Sequence, residues 1–94
     1  MVGQFVLSTA GRDKGRIHVI CGEADGEYFL IADGKTRKID KPKRKKKKHC
    51  KLIGYKDQGL EEDMIRNQAT DGQIEKAIRR YRLGLNATDL YDNR

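Results

Sequence analysis

The stretch Gln4-Phe5-Val6-Leu7-Ser8-Thr9-Ala10-Gly11-Arg12-Asp13-Lys14-Gly15-Arg16-Ile17-His18-Val19-Ile20-Cys21 decides the fold. Gln4 to Ser8 reads as a short strand with an apolar centre. Ala10 to Gly15 places two glycines and an aspartate between apolar runs, which marks a loop. Arg16 to Cys21 then alternates with a period of two. Ile17, Val19 and Cys21 fall on one face, and Arg16, His18 and Ile20 on the other. Two short strands around a glycine-bounded loop predict a β-rich fold.

The same punctuation continues outward. Glu23 to Glu27 contains Asp25-Gly26, the signature of a hairpin turn. Tyr28 to Ala32 is a third, almost wholly apolar strand, and Asp33-Gly34 is the next tight turn. Thr36 to Asp40 reads as a short fourth strand, with Thr36, Lys38 and Asp40 outward and Arg37 and Ile39 opposite; Lys41-Pro42 ends it. Cys50 to Tyr55 is the fifth. Short strands with turns at intervals of roughly 8–12 residues indicate a small barrel or sandwich. A barrel also removes the unpaired edges of a sheet.

After Asp57 the period changes. Leu60, Met64 and Ile65 suit a short amphipathic helix, with Glu61, Glu62 and Asp63 in its first turn complementing the helix dipole. Thr70 and Gln73 form a capping box. Ile74, Ala77, Ile78, Tyr81 and Leu85 follow at helical spacing, giving a second helix that ends near Gly84. Its opposite face carries Lys76, Arg79, Arg80 and Arg82. Tyr55 and Tyr81 are expected to pin the helices to the sheet. The fold class is therefore mostly β with an α tail: residues 1–56 form the barrel of about five short strands, 57–85 two short helices packed on it, and 86–94 a frayed tail.

Charge is concentrated in one place. The chain has 94 residues and a formal net charge of +7. Between residues 35 and 51 lie eleven cations, Lys35, Arg37, Lys38, Lys41, Lys43, Arg44, Lys45, Lys46, Lys47, Lys48 and Lys51, against one acid, Asp40, for a local charge of +10. The other 10 basic and 13 acidic residues sum to −3. Solubility is served better by interspersed charges than by contiguous ones. A bound polyanion relieves the mutual repulsion of such a run and releases counterions. The segment is expected to be solvated and disordered alone, to order on a nucleic acid, and to be dispensable for folding. Lysines alone address phosphates and carry no sequence information.

The residues from Val2 to Arg16 look like the start of a KOW motif, in which a strand leads into a Gly-x-x-Lys-Gly loop and then an alternating strand. Gly11, Lys14 and Gly15 match the loop, and Ile17, Val19 and Cys21 the alternation. Ala32-Asp33-Gly34-Lys35 and Arg37 to Lys43 continue the likeness. Residues 2–55 resemble the bacterial KOW-domain RNA-binding proteins, which are themselves similar to the fourteen-e, six-e and twenty-seven-e families of archaeal and eukaryotic large-subunit ribosomal proteins. The helical tail is covered loosely. The resemblance implies an SH3-like barrel whose role is RNA contact, usually with ribosomal RNA. KOW modules also occur in transcription elongation factors. The chain departs from an aromatic-bearing RNA surface, because its lysine cluster is broken by neither aromatics nor glycines, so base stacking is not expected there.

Physical reading of the loop adds to this. Gly11 and Gly15 allow positive φ and close backbone approach. Arg12, Lys14 and Arg16 then surround amides that would cradle a phosphate. The expected RNA-binding residues are Arg12, Lys14 and Arg16 together with the eleven cations between 35 and 51. Aromatics are only 6% of the chain, which favours recognition of folded RNA by shape and backbone.

Other classes fit less well. Catalysis needs a nucleophile, base or metal held in a cleft. Two histidines and two cysteines here share no motif, and neither His49-Cys50 nor His18 with Cys21 completes a metal-ligand set. Cys21 reads as a core residue, Cys50 as a free thiol and His18 as a surface residue. No enzyme activity, cofactor or metal is expected. No apolar run is long enough to span a bilayer, the N-terminus lacks the layout of a secretory signal, and the polylysine lacks apolar anchors for a membrane surface. A cytoplasmic, monomeric RNA binder is expected, with ribosomal RNA as its main partner and ribosomal proteins as neighbours. The alternative is a protein-interaction or transcription-elongation module that docks on RNA polymerase through its barrel and its acidic helix, by way of Leu60, Met64 and Ile65.

Overall fold

The computed structural model describes residues 1–84. The expected contribution of Leu85 to the second helix and the frayed 86–94 tail lie outside the described residues. Strand β1 spans Gln4–Ser8 and pairs antiparallel with β2, Ile17–Ala24. Strand β2 pairs with β3, Tyr28–Ala32, through a turn in which Asp25 and Gly26 both have positive φ, at 54° and 69°. The ladder leaves three residues, Asp25 to Glu27, in this turn, and Asp-Gly supplies its left-handed backbone at low steric cost. Strand β2 runs three residues beyond the expected end, because a bulge at Cys21 lets the ladder resume at Gly22.

The fourth strand is not Thr36–Asp40. Strand β4 is Lys43–Lys46, the lysine run itself, paired antiparallel with β3. Residues 33–37 are instead folded into a tight loop by Asp33, whose Oδ1 accepts from the Lys35 amide at 2.9 Å and the Arg37 amide at 2.8 Å. Those local bonds outcompete a ladder. A short 3-10 turn, Lys47–His49, leads into β5, Cys50–Lys56, which pairs with β1. The sheet order is β4-β3-β2-β1-β5, all antiparallel.

This order forces curvature. In a flat sheet the two outer strands would lie about 19 Å apart, at roughly 4.8 Å per neighbour. The link from Lys46 to Cys50 spans at most about 14 Å when fully extended, and part of it is coiled into the 3-10 turn. The sheet therefore curls until its two edge strands are joined by that turn, where the Thr9 amide, donating to the His49 carbonyl, prolongs the β1–β5 pairing and the Lys47 amide, donating to the Glu27 carbonyl, prolongs the β3–β4 pairing. No ladder joins β4 to β5 among the described residues, so the sheet is curled and open.

Each face of the sheet has its own core. On the outer face lie Phe5, Val19 and Ala32, covered by Leu60 of helix α1 (Gln58–Ile65) and by Ile74, Ala77 and Ile78 of helix α2 (Asp71–Arg82). Phe5 meets Tyr55 and Tyr81 edge-on, with ring centroids 4.9 and 5.7 Å away, and the two tyrosines are 5.0 Å apart. The aromatics thus pin α2 to the sheet as expected. Helix α1 is capped by Asp57, which accepts from the Leu60 amide at 3.0 Å; starting at Gln58, it leaves only Glu61 of the three acids in its first turn. The Thr70–Gln73 capping box is present at α2. Among the described residues the apolar core inside the curl is Val6, Ile20, Phe29 and Ile31, with Cys50 beside it. The rest of that interior is polar: Ser8, His18 and Lys45 are all buried. His18 is not a surface residue, because β2 is covered on both faces.

Candidate nucleic-acid interface

Lys45 sits at the centre of the interior polar group. It pairs across the ladder with Phe29, so its side chain points into the curl. Its ammonium lies 2.7 Å from Asp13 Oδ1 and donates to the Ala10 carbonyl. Ser8 Oγ donates to the same Asp13 oxygen at 2.8 Å. Lys43, on the same face of β4, places Nζ 3.1 Å from Asp13 Oδ2. That contact is ionic and off hydrogen-bond alignment, so Oδ2 is buried without a hydrogen bond. Burial pushes the Asp13 pKa up, but the hydrogen bonds from Lys45 and Ser8 and the Lys43 cation outweigh it and hold the carboxyl well below its usual range.

The lysine run is therefore ordered by the protein itself. Alternation along β4 sends Lys43 and Lys45 inward to Asp13 and Arg44 and Lys46 outward. Arg44 pairs with Asp25 and lies 4.2 Å over the Tyr28 ring. Lys47 pairs with Glu23 at 2.5 Å. Four of the six contiguous cations are thus matched by acids 24 or more positions away in three cases and 19 in the other. The expectation that 35–51 orders only on a nucleic acid is overturned, and these ion pairs argue against the expectation that Lys43 to Lys48 are dispensable for folding. Lys46, Lys48 and Lys51 remain exposed, with no ion pair among the described residues. On the exposed edge of a sheet, cations also discourage pairing with another strand, a structural role that asks for no ligand.

The loop between β1 and β2 departs from expectation in one respect. Gly11 and Gly15 both have φ of +84°, a conformation that glycine adopts without steric cost. Yet the amides that were to cradle a phosphate turn inward: Lys14 donates to the Gly11 carbonyl, Gly15 to Ser8 and Arg16 to Asp13. What the loop offers outward is side-chain charge, Arg12, Lys14 and Arg16, all exposed.

Two grooves gather part of this charge. One, of about 370 Å³, is lined by Arg12, Arg16, Arg37 and Lys43, with Asp13, His18, Asp33 and Thr36. The second, of about 410 Å³, shares Arg16, Asp33 and Thr36 and adds Lys35, Ile17 of β2, and Glu75, Ile78, Arg79 and Arg82 of α2. Arg16 donates to Thr36 Oγ1 at 3.3 Å across the shared ridge. Of the sequence-predicted residues, Arg12, Arg16, Lys35, Arg37 and Lys43 are thus brought together. Lys14, Lys38, Lys41, Arg44, Lys46, Lys47, Lys48 and Lys51 line neither groove, and Lys45 is interior. Arg79 and Arg82 were legible as a basic helix face but not as neighbours of Arg16.

His18 borders the first groove. Burial lowers its imidazole pKa, while the Asp33 and Asp13 carboxylates and the Arg16 backbone pull it back up. The net effect is downward, and Nδ1 is buried without a hydrogen-bond partner. Burial pushes the Cys21 thiol up to about 11 and raises that of Cys50 as well, so neither thiol is activated as a nucleophile. No group of three His, Cys, Asp or Glu side chains among the described residues is placed to hold a metal ion. No helix of the described residues is long and apolar enough to cross a membrane. The apolar triad on α1 is largely consumed at home: Leu60 is 1% exposed, Met64 packs on the same core, and only Ile65 stands free at 70%. Glu61 pairs with Lys56.

No protein-family model matches the chain, and no curated protein matches it. The KOW resemblance therefore rests on the residues quoted for it.

Proposed function

We propose that this protein is an RNA-binding module of the translation machinery, built on an SH3-like barrel of the KOW kind, which grips the sugar–phosphate backbone of folded RNA, ribosomal RNA in the first instance. The carrying observation is the meeting of Arg12 and Arg16 from one loop with Lys35 and Arg37 from another along one groove system, none of them ion-paired among the described residues. Of the three acids lining the grooves, Asp13 and Asp33 are already engaged by Lys45 and Ser8 and by backbone amides, which leaves Glu75 as the one acid there without such a partner among the described residues. Unpaired cations held in place by the fold release phosphate counterions without first breaking internal ion pairs.

The barrel reading is supported by the curl of the sheet and by the 3-10 turn joining its two edges. A binding role rather than an enzymatic one is supported by the groove chemistry: His18, the one imidazole lining it among the described residues, keeps Nδ1 buried, and no nucleophile of the described residues is hydrogen-bonded to it. In this reading the protein is cytoplasmic, works beside ribosomal proteins and needs no cofactor. Docking on RNA polymerase through α1 is disfavoured because Leu60 and Met64 are spent in the core.

The experiment is sedimentation of a lysate through sucrose at low and high salt, with anisotropy on a labelled hairpin RNA in parallel. The protein should co-sediment with the large ribosomal subunit at low salt. Arg12→Gln/Arg16→Gln/Arg37→Gln should flatten the plot of log affinity against log salt by about 2–3 in slope, at roughly 0.7–0.9 per phosphate. A protein confined to light fractions at every salt, with an unchanged slope in the triple variant, would refute the assignment.

A further inference from the structure

We infer that the last turns of α2 belong to the RNA surface: Arg79 and Arg82 extend the phosphate track begun by Arg12 and Arg16, so that one RNA strand runs from the β1–β2 loop over the Arg16–Thr36 bridge onto the helix. This rests on the RNA reading above and adds a second element to it.

Three observations carry it. First, the two grooves share Arg16, Asp33 and Thr36, so they adjoin as a trough crossed by the Arg16–Thr36 bridge, with Arg12 lining one part and Arg79 and Arg82 the other. Second, the trough selects one side of α2. Ile78 is buried in the core, and Arg79 and Arg82 flank it on the groove side. Lys76 and Arg80, also exposed and spaced i and i+4, line neither groove. Cations in a last turn complement the helix dipole, but that role would be served equally by Arg80 and gives no reason for the groove. Third, the register of helix against loop is fixed. Asp71 Oδ1 accepts from the Ile39 amide at 2.7 Å, and the Gly34 α-carbon packs against the Asp71 carbonyl so closely that a Cβ would collide with it. The helix backbone that carries the cations is therefore placed before any ligand arrives, and binding has only the arginine side chains left to order.

The trough also contains carboxylates that bear on the sign of its field. Asp33 accepts two amides, which neutralise part of its charge. Glu75 has no ion pair among the described residues and lies within the second groove. On this proposal Glu75 opposes the RNA, so its removal should tighten binding.

The test compares two variants of equal charge on the same helix, Arg79→Gln/Arg82→Gln and Lys76→Gln/Arg80→Gln, with Glu75→Gln as a third. The full chain is titrated against a labelled hairpin RNA across a salt series, with circular dichroism as a check on folding. Arg79→Gln/Arg82→Gln should lose about tenfold in affinity and about 1.8 in salt slope, two phosphates at roughly 0.9 each. Lys76→Gln/Arg80→Gln should change affinity less than about twofold, and Glu75→Gln should strengthen it. Equal losses in the two double variants would overturn the track and leave only the general field of a basic protein. Wild-type protein that ignores the hairpin, or binds polyglutamate as tightly as RNA, would overturn the RNA reading and the track together.

Discussion

Replacing Lys45 by methionine tests the central energetic claim, that the middle of the lysine run is interior structure. Methionine keeps most of the aliphatic stem and removes the charge. Side-chain exposure is 8% at Lys45 and 12% at Asp13, so the variant strands a buried carboxylate. Breaking a buried pair from one side costs about 3–5 kcal/mol. Lys43 at 3.1 Å and Ser8 at 2.8 Å remain, and offset about 1–2 kcal/mol of that. The net loss should be about 1–4 kcal/mol, centred near 2.5. At roughly 4–8 °C per kcal/mol for a domain this small, Tm should fall by about 10–20 °C. Thermal melts by circular dichroism at pH 7 measure it, with Lys48→Met as the control, since Lys48 is exposed and should melt like wild type. Linkage supplies a second signature. Asp13 has its pKa depressed in the folded state, so its stabilisation is complete above the unfolded value near 3.9 and is lost as pH falls through the folded value. The gap between wild type and Lys45→Met should therefore narrow below about pH 4. Adding Asp13→Asn should recover part of the loss at pH 7, because it removes the stranded charge. A Lys45→Met protein melting within about 2 °C of wild type, less than 1 kcal/mol, would refute the reasoning and restore the run as a free ligand-binding segment.

Gly34→Ala should destabilise the protein by about 2–5 kcal/mol, read by urea denaturation, since the new Cβ combines φ of +80° with a collision against Asp71 backbone. Gly15→Val meets open space, so it should cost only the strain of φ +84°, about 1–3 kcal/mol, and should leave the melting transition cooperative. His18 has its folded pKa lowered by burial, so the unfolded chain takes up a proton first as pH falls below about 6.5. Stability should therefore be full above that pH and decline between it and the folded value, and His18→Gln should flatten this part of a pH series of urea midpoints.

Much of the fold was legible because it depends on near neighbours. The bounds of β1 and β3, the Asp25-Gly26 hairpin turn, the positive φ of Gly11 and Gly15 and the Thr70–Gln73 capping box each follow from a few adjacent residues and their hydrogen bonds. The outer core was legible too, from the period of Ile17, Val19 and Cys21 and that of Ile74, Ala77 and Ile78.

Other features were decided by residues distant in sequence. A strand of Lys43-Arg44-Lys45-Lys46 has no apolar alternation to announce it. It becomes favourable only when β3 offers a ladder and Asp13, Asp25 and Glu23 supply counter-charge from other loops and strands. Read alone, six adjacent cations repel and predict disorder; folded, alternate residues face opposite sides and meet separate acids. His18 looked polar-faced because one side of β2 was assumed open, whereas the curl of the sheet encloses it. The partition of basic residues into structural and available sets has the same origin. Composition and spacing locate the charge along the chain, but ion pairing and groove formation depend on three-dimensional separation, and only the tertiary fold brings Arg16 beside Lys35, Arg79 and Arg82 while placing Lys45 inside.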